Sequence, residues 1–274
     1  MKGFIPELKK ILVFLKKDLK IELSYKLSVL LRGLSVILFC LVFFFLARMV
    51  EGASIKMLAK YKGNYFSFAL IGMAFYSFFA ILLNSFSSRL REEQLTGTLE
   101  AIFLAPVRLP TLLAGITSFS LVRGMLNMLL FFLVGVFLLG AKISLSNVPI
   151  FLLVFVLSVM SFLSIGIIAS SFILVFKRGN PINWLLENIF LLAGGVLYPV
   201  SVLPEWVRKI SDILPITYAL RAFRGLLIPG ADTTGLSTQI TALFVSVLVL
   251  FPLAVLSFSV AVRVVKQRGT LSQY

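Results

Sequence analysis

The sequence predicts an all-α integral membrane protein with six transmembrane helices, on three observations. Hydrophobic residues make up 59% of the chain and the mean hydropathy is +1.05, too apolar for a soluble globule of 274 residues. Several apolar runs reach the roughly 20 residues that cross a hydrocarbon core. Lys and Arg gather in alternate connecting segments, as they do in multi-pass proteins.

The predicted spans lie at 33–50, 66–86, 112–139, 149–176, 184–200 and 239–262. An even number of spans puts both termini on one side. The segments of that side hold 16 of the 26 basic residues, against 8 on the other side. Because basic loops stay in the cytoplasm, we expect both termini to be cytoplasmic. The net charge of +15 then faces anionic lipid, and no nucleic-acid partner is expected.

Residues 1–28 predict an amphipathic interfacial helix, ahead of a six-span domain at 29–274. Five lysines, from Lys9 to Lys20, share one arc of the helical wheel, and a separate arc is apolar. Such a helix lies flat, with its lysines toward headgroups. A simple topology anchor is the alternative interpretation.

The residue inventory excludes several kinds of chemistry. The chain has no histidine, a single cysteine at Cys40 and no G-x-x-x-x-G-K-[ST] motif. A Ser-His dyad, a histidine zinc site, an intrachain disulfide and a P-loop are therefore excluded. We predict no catalytic, cofactor or metal site in this chain, so that any ATP is bound by another subunit.

A charged loop, SSRLREEQLTGTLEAIFLAPVRLP at 87–110, separates the second and third spans. On a helical wheel Leu95 and Leu99 share an apolar face, while Glu93 and Glu100 share its polar neighbour. Gly97 permits a bend between two short helices. The loop has the form of a docking segment, and a merely solvated loop is the alternative.

A second unusual segment, GGVLYPVSVLPEWVRKISDILPITYALRAFRGLL at 194–227, follows a shortened fifth span. The span runs into Pro199, and prolines at 204 and 215 each begin a short helix. Trp206 suits an interfacial depth. Ordinary amphipathic helices in an outer loop are the alternative.

Together these two segments resemble type-2 ABC export permeases. The resemblance implies an N-terminal elbow helix, a cytoplasmic coupling helix after the second span, and short outer re-entrant helices between the fifth and sixth. It assigns coupling to an ATPase, within 89–105, to Arg89, Arg91, Glu92, Glu93, Thr96, Gly97, Thr98 and Glu100. It assigns the outer re-entrant region to Gly195, Tyr198, Pro199, Pro204, Trp206, Pro215 and Tyr218.

The resemblance also implies an assembly and an activity. Two membrane subunits, identical or related, work with two ATPase subunits that bind ATP and Mg. By alternating access they move an amphipathic drug-like molecule, a lipid or a lipid-linked glycan out across a prokaryotic plasma membrane. Two other classes stay open: an ion-coupled secondary transporter, disfavoured by the few acids within spans, and an integral membrane enzyme of lipid metabolism, disfavoured by the missing histidines.

Polar residues within the spans are candidates for an intramembrane site. Arg123 and Asn127 are one helical turn apart, and Glu187 lies at a comparable depth on the fifth span. We expect either an Arg123–Glu187 ion pair or, on balance, an Arg123 side chain that snorkels to the headgroups. Asn84, Asn188 and Ser161 are further candidates for a pathway lining.

Overall fold

The computed structural model describes residues 15–22, 24–50, 65–95, 109–176 and 181–267. Within these ranges the chain is helical and contains no strand, which confirms the all-α class. After a helical stretch at 15–22, the helices are α1 (Lys26–Val50), α2 (Tyr65–Leu95), α3 (Leu109–Leu133), α4 (Val148–Phe176), α5 (Pro181–Ala193), α6 (Glu205–Ser211), α7 (Pro215–Leu227) and α8 (Leu236–Gln267).

Five of these helices, α1 to α4 and α8, are long and apolar enough to cross a membrane. The predicted fifth span at 184–200 differs, because α5 has 13 residues and ends at Ala193. At about 1.5 Å per residue it covers only about 20 Å. Gly195 follows in the left-handed region with φ +72°, which breaks the helix. A Cβ on Gly194 would lie 2.6 Å from Ile216, so the break packs closely against α7.

Local sequence signals set several helix ends. A single π-helical turn, Val134–Leu138, extends α3 to Leu138, and Gly140 follows in the left-handed region with φ +70°. The side chain of Asn147 accepts a hydrogen bond from the Ile150 N–H (3.1 Å) and so caps the start of α4. Proline begins α5 and α7, where a missing N–H has no cost.

The central helix is α2, which is buried along most of its length against α3, α4 and α7. Its phenylalanines form the core. Phe75 stacks on Phe223 of α7 with ring centroids 3.7 Å apart, and Phe79 stacks on Phe162 of α4 at 4.0 Å. These rings are therefore packing residues rather than a pathway lining.

Helices α4 and α8 form the most extensive helix pair, whereas α1 is covered on one side only. The ion pair between Arg89 at the end of α2 and Asp18 brings residues 15–22 to that end of the bundle. We call this end, with the start of α1, the near side. The end that holds α6 and α7 is the far side.

Candidate functional site

The near-side end of α2 carries the first residues of the predicted coupling region. Arg89, Arg91 and Glu92 lie in its last turns, and α2 continues to Leu95. Glu93 belongs to the same helix. The remaining predicted coupling residues, Thr96, Gly97, Thr98 and Glu100, lie outside the described residues.

Ion pairs hold residues 15–22 against the bundle. Arg89 contacts Asp18 with an N–O distance of 3.7 Å and Glu92 at 3.1 Å. Arg32 of α1 pairs with Glu22. The described part of the predicted interfacial helix is helical, and its two acids are the groups that attach it to α1 and α2.

A cavity of about 590 Å³ opens at the near-side half of the bundle, between α1, α2 and α3. Arg32, Arg123, Asn127 and Glu187 all line it, so the structure brings the three predicted intramembrane residues to one cavity. Asn127 donates a hydrogen bond to the Ser77 hydroxyl (2.5 Å). The two other predicted polar residues, Ser161 and Asn188, bond to carbonyls of their own helices, those of Leu157 and Trp184.

Glu187 does not form the ion pair with Arg123 that was one of our two expectations. Its carboxylate accepts a hydrogen bond from the side-chain amide of Asn84 on α2. The side-chain oxygen of Asn84 in turn accepts a hydrogen bond from the Asn183 amide (3.0 Å). The hydroxyl of Tyr76 donates to the Glu187 main-chain carbonyl (3.4 Å). The neutral amide of Asn84 on α2 thus takes the place that the ion-pair expectation gave to the Arg123 guanidinium on α3.

Arg123 is half-buried, and its Nε is buried without a hydrogen-bond partner. No ion pair or hydrogen bond joins Arg123 to another residue in the part of the chain that the structure describes. Its guanidinium therefore faces the cavity without a partner among the residues that the structure describes.

The far side is organised by an arginine that sequence analysis did not single out. Arg224 of α7 is 2% exposed, and its guanidinium donates to the carbonyls of Phe68 (3.2 Å), Gly195 (2.7 Å) and Val196 (2.6 Å). It also lies 3.4 Å from the centre of the Phe68 ring. One side chain therefore joins α7, the break after α5 and the start of α2.

Close approach of the backbone completes this junction. A Cβ on Gly72 of α2 would lie 2.0 Å from the Val196 carbonyl oxygen and 2.5 Å from Arg224. The loop after α3 closes it, because Ser144 and Ser146 donate main-chain N–H groups to the Leu227 (2.8 Å) and Leu226 (3.0 Å) carbonyls. The last carbonyls of α7 are thereby satisfied.

The predicted outer residues lie in this far-side region, where the prolines precede or begin helical turns and the tyrosines donate hydrogen bonds to main-chain carbonyls. Pro204 precedes α6, Pro215 begins α7 and Pro199 precedes a 3₁₀ turn, Val200–Val202. The hydroxyl of Tyr198 donates to the Leu192 carbonyl (2.7 Å), and that of Tyr218 to the Asp212 carbonyl (2.6 Å). Trp206 is 69% exposed and points away from the bundle.

A family model described as ABC-2 type transporter matches residues 10–228. The chain belongs to the ABC-2 type transporter family. The match runs from the N-terminal segment through α7 and includes both segments that carried the resemblance, 87–110 and 194–227. A comparison with curated proteins gave no match.

Membership confirms that this chain is a multi-pass membrane permease of an ABC transporter, a class that generally works with an ABC ATPase partner. A permease domain is a membrane component and not itself catalytic. It also favours transport over the two alternative classes, the ion-coupled carrier and the membrane enzyme. Within the described residues, no group of three or more His, Cys, Asp or Glu side chains is placed to hold a metal ion.

Sequence analysis missed Arg32 and Arg224. Arg32 lay just before the predicted start of the first span and was counted only as a topology signal. Arg224 carried a signal that was available: it lies between Ala222-Phe223 and Gly225-Leu226-Leu227 in an apolar stretch of the helix, and an arginine in such surroundings needs partners.

Proposed function

We propose that this ABC-2 permease is the membrane half of an exporter, in which an ATPase docks on 89–105 and drives alternating access. The transporter consists of two permease subunits and two ATPase subunits. The permease subunits are two copies of this chain, or one copy and a related permease, and the ATPase subunits bind ATP and Mg. The cargo is an amphipathic drug-like molecule, a lipid or a lipid-linked glycan, moved out across a prokaryotic plasma membrane. The proposal includes cytoplasmic termini and six spans, of which α5 is a short fifth one.

The observation that carries the proposal is the continuity of α2. This helix runs 31 residues from the far-side junction to the near-side end, where the docking segment begins. At about 1.5 Å per residue it is about 46 Å long. Because α2 is also the most buried of the five long helices, a force applied near Arg89 reaches Phe75 and Phe223 without a flexible linker to absorb it.

The near-side ion pairs support the same mechanism. Asp18 and Glu22 attach the N-terminal segment to α2 and α1, so a partner that moves the end of α2 also moves α1. The near-side cavity lies between these two helices and α3. A relative shift of α1 and α2 therefore changes the cavity directly, which is the geometric requirement for alternating access.

The test uses the full chain co-expressed with a candidate ABC ATPase and reconstituted in liposomes. We expect a co-purifying complex with ATP turnover. The double variant Glu92→Gln/Glu93→Gln should lower turnover about tenfold, since each loses a charge at the proposed docking segment. Glu205→Gln, an exposed acid on the far side, is the matched control and should leave turnover unchanged.

Two results would contradict the proposal. One is the absence of any stable complex between the two intact proteins. The other is equal ATP turnover in the Glu92/Glu93 double variant, the Glu205 variant and the wild type. Export is then measured by loading the same liposomes with fluorescent lipid and following its appearance on the opposite leaflet.

A further inference from the structure

Arg123, which has no ion-pair or hydrogen-bond partner among the described residues, lies where two cavities meet. The near-side cavity, of about 590 Å³, is lined by apolar residues of α1, α2 and α3, with hydroxyl, amide and charged groups among them. A second cavity of about 190 Å³ lies on the other side of Arg32 and Arg123, against residues 15–22. Both arginines and Asn127 line the two cavities together.

The second cavity is an apolar groove. Apart from the shared polar residues and Glu22, its walls are aliphatic or aromatic, from the N-terminal segment, α1 and α3: Leu19, Val29, Phe119, Val122, Leu126 and Leu130. Gly33 leaves space at one side of the groove, because a Cβ built on it would meet no atom within 4 Å. The groove has room for a hydrocarbon chain, and Arg32 and Arg123 are among its lining residues.

The arginine Arg123 favours an anion at the junction. Of the two acids nearby, Glu22 pairs with Arg32, and Glu187 accepts a hydrogen bond from Asn84 and lines only the larger cavity. Arg123 has no such partner among the described residues, and its Nε is buried. An unpaired guanidinium at membrane depth is costly, and a phosphate group relieves that cost by accepting two parallel N–H hydrogen bonds.

We propose that the two cavities form one site for a phosphate-bearing amphiphile, with its phosphate on Arg123 and Arg32 and one hydrocarbon chain in the groove beside Gly33. Serine, asparagine and tyrosine groups of the larger cavity face the rest of the headgroup. As a cargo site this inference rests on the proposed export function. As a binding site it does not, and the following experiment measures binding without the ATPase.

The probe is dioctanoyl phosphatidic acid, added to the purified full chain in non-ionic detergent and measured by native mass spectrometry. We expect Arg123→Gln to weaken binding at least about tenfold, as for a lost charge-assisted hydrogen-bonding group. Arg123→Lys should retain part of the affinity. Arg48→Gln, which removes an exposed charge at the other end of α1, is the matched control and should change affinity less than twofold.

A second pair of variants tests the groove. Gly33→Leu places a side chain in open space, so we expect unchanged thermal stability and binding at least about tenfold weaker, because the groove is filled. Leu34→Phe adds bulk at the next position, which is exposed and lines neither cavity, and should leave binding unchanged. This pair keeps the test valid even where Arg123→Gln lowers the yield of folded protein.

Three further ligands separate the sources of affinity. Dioctanoylglycerol lacks the phosphate, and inorganic phosphate lacks the chains. Dioctanoyl phosphatidylcholine carries a choline cation that offsets the charge of its phosphate. Each should bind at least about tenfold more weakly than phosphatidic acid. Equal binding of dioctanoylglycerol would overturn the role of the arginines. Equal binding of inorganic phosphate would overturn the role of the groove, and unchanged phosphatidic acid binding in both Arg123→Gln and Gly33→Leu would overturn the site.

Discussion

The two halves of this permease treat their arginines in opposite ways. On the far side, Arg224 is enclosed and donates to three main-chain carbonyls on two other segments. On the near side, Arg123 faces a cavity and has no partner among the described residues. An arginine side chain thus completes the packing of the far half, whereas in the near half an arginine has no partner among the described residues.

The aromatic core follows the same division. The stacked rings Phe75–Phe223 and Phe79–Phe162 lie in the middle and far side of α2, where its side chains are almost wholly covered. Another face of α2, between Ser77 and Ser88, presents Ser77, Asn84 and Ser88 to the near-side cavity. The difference indicates a far half built as one rigid body and a near half built to be filled and reshaped.

The largest expected effect comes from breaking the far-side junction. Arg224→Leu leaves three buried carbonyls without their donor, so we expect the free energy of unfolding to fall by about 5 kcal/mol. The melting temperature in detergent should fall by about 10 °C, at about 2 °C for each kcal/mol. Arg221→Leu, one turn away and half-exposed, is the control and should shift it by no more than about 2 °C. Equal shifts would contradict the assignment of Arg224 as the junction.

The next largest effect tests the aromatic core. Phe75→Ala removes a ring stacked on Phe223 in a fully buried position, and we expect a loss of about 4 kcal/mol. Phe45 of α1 is 61% exposed, so Phe45→Ala should lower the free energy of unfolding in detergent by less than about 1 kcal/mol. Chemical denaturation in mixed micelles measures both. Similar losses at the two positions would show that α2 is not the core.

The comparison also separates the features that the sequence could predict from those that it could not. Hydropathy and basic-residue bias identified the long helices, because lipid imposes length and composition on each span independently of its neighbours. A shortened fifth span was predicted as well, but with its end at residue 200. The position of the helix end at Ala193 was not, because it depends on how closely Gly194 approaches Ile216 of α7. That contact is a property of the packed bundle.

The candidate site was less predictable than the fold. Arg123, Asn127 and Glu187 were selected for their depth, and they do line one cavity. Their partners were not predictable, because the turn of α5 about its axis decides whether Glu187 faces Asn84 or Arg123. The coupling role of all eight predicted residues stays a prediction, as do the elbow role of the N-terminal helix and the boundary at residue 28.

A smaller effect is expected for a single hydrogen-bonding group in the far half. Ser67 is buried, and its hydroxyl bonds both the N–H (3.1 Å) and the carbonyl (3.2 Å) of Lys142 in the loop after α3. Ser67→Ala leaves both groups without this partner, and we expect a loss of about 2 kcal/mol. Denaturation in mixed micelles measures it. A loss below about 0.5 kcal/mol would indicate that water reaches this loop.

The smallest effect is expected at the near side, and it is the sharpest test of the comparison. Asn127→Ala removes a hydrogen bond to Ser77, as Ser67→Ala does to Lys142, but it does so at the wall of a cavity. Because water can enter there and satisfy the Ser77 hydroxyl, we expect a loss below about 1 kcal/mol. The same denaturation assay measures it. If Asn127→Ala destabilised the protein as much as Ser67→Ala, the near half would be packed as tightly as the far half, and neither a water-filled cavity nor an amphiphile could occupy it.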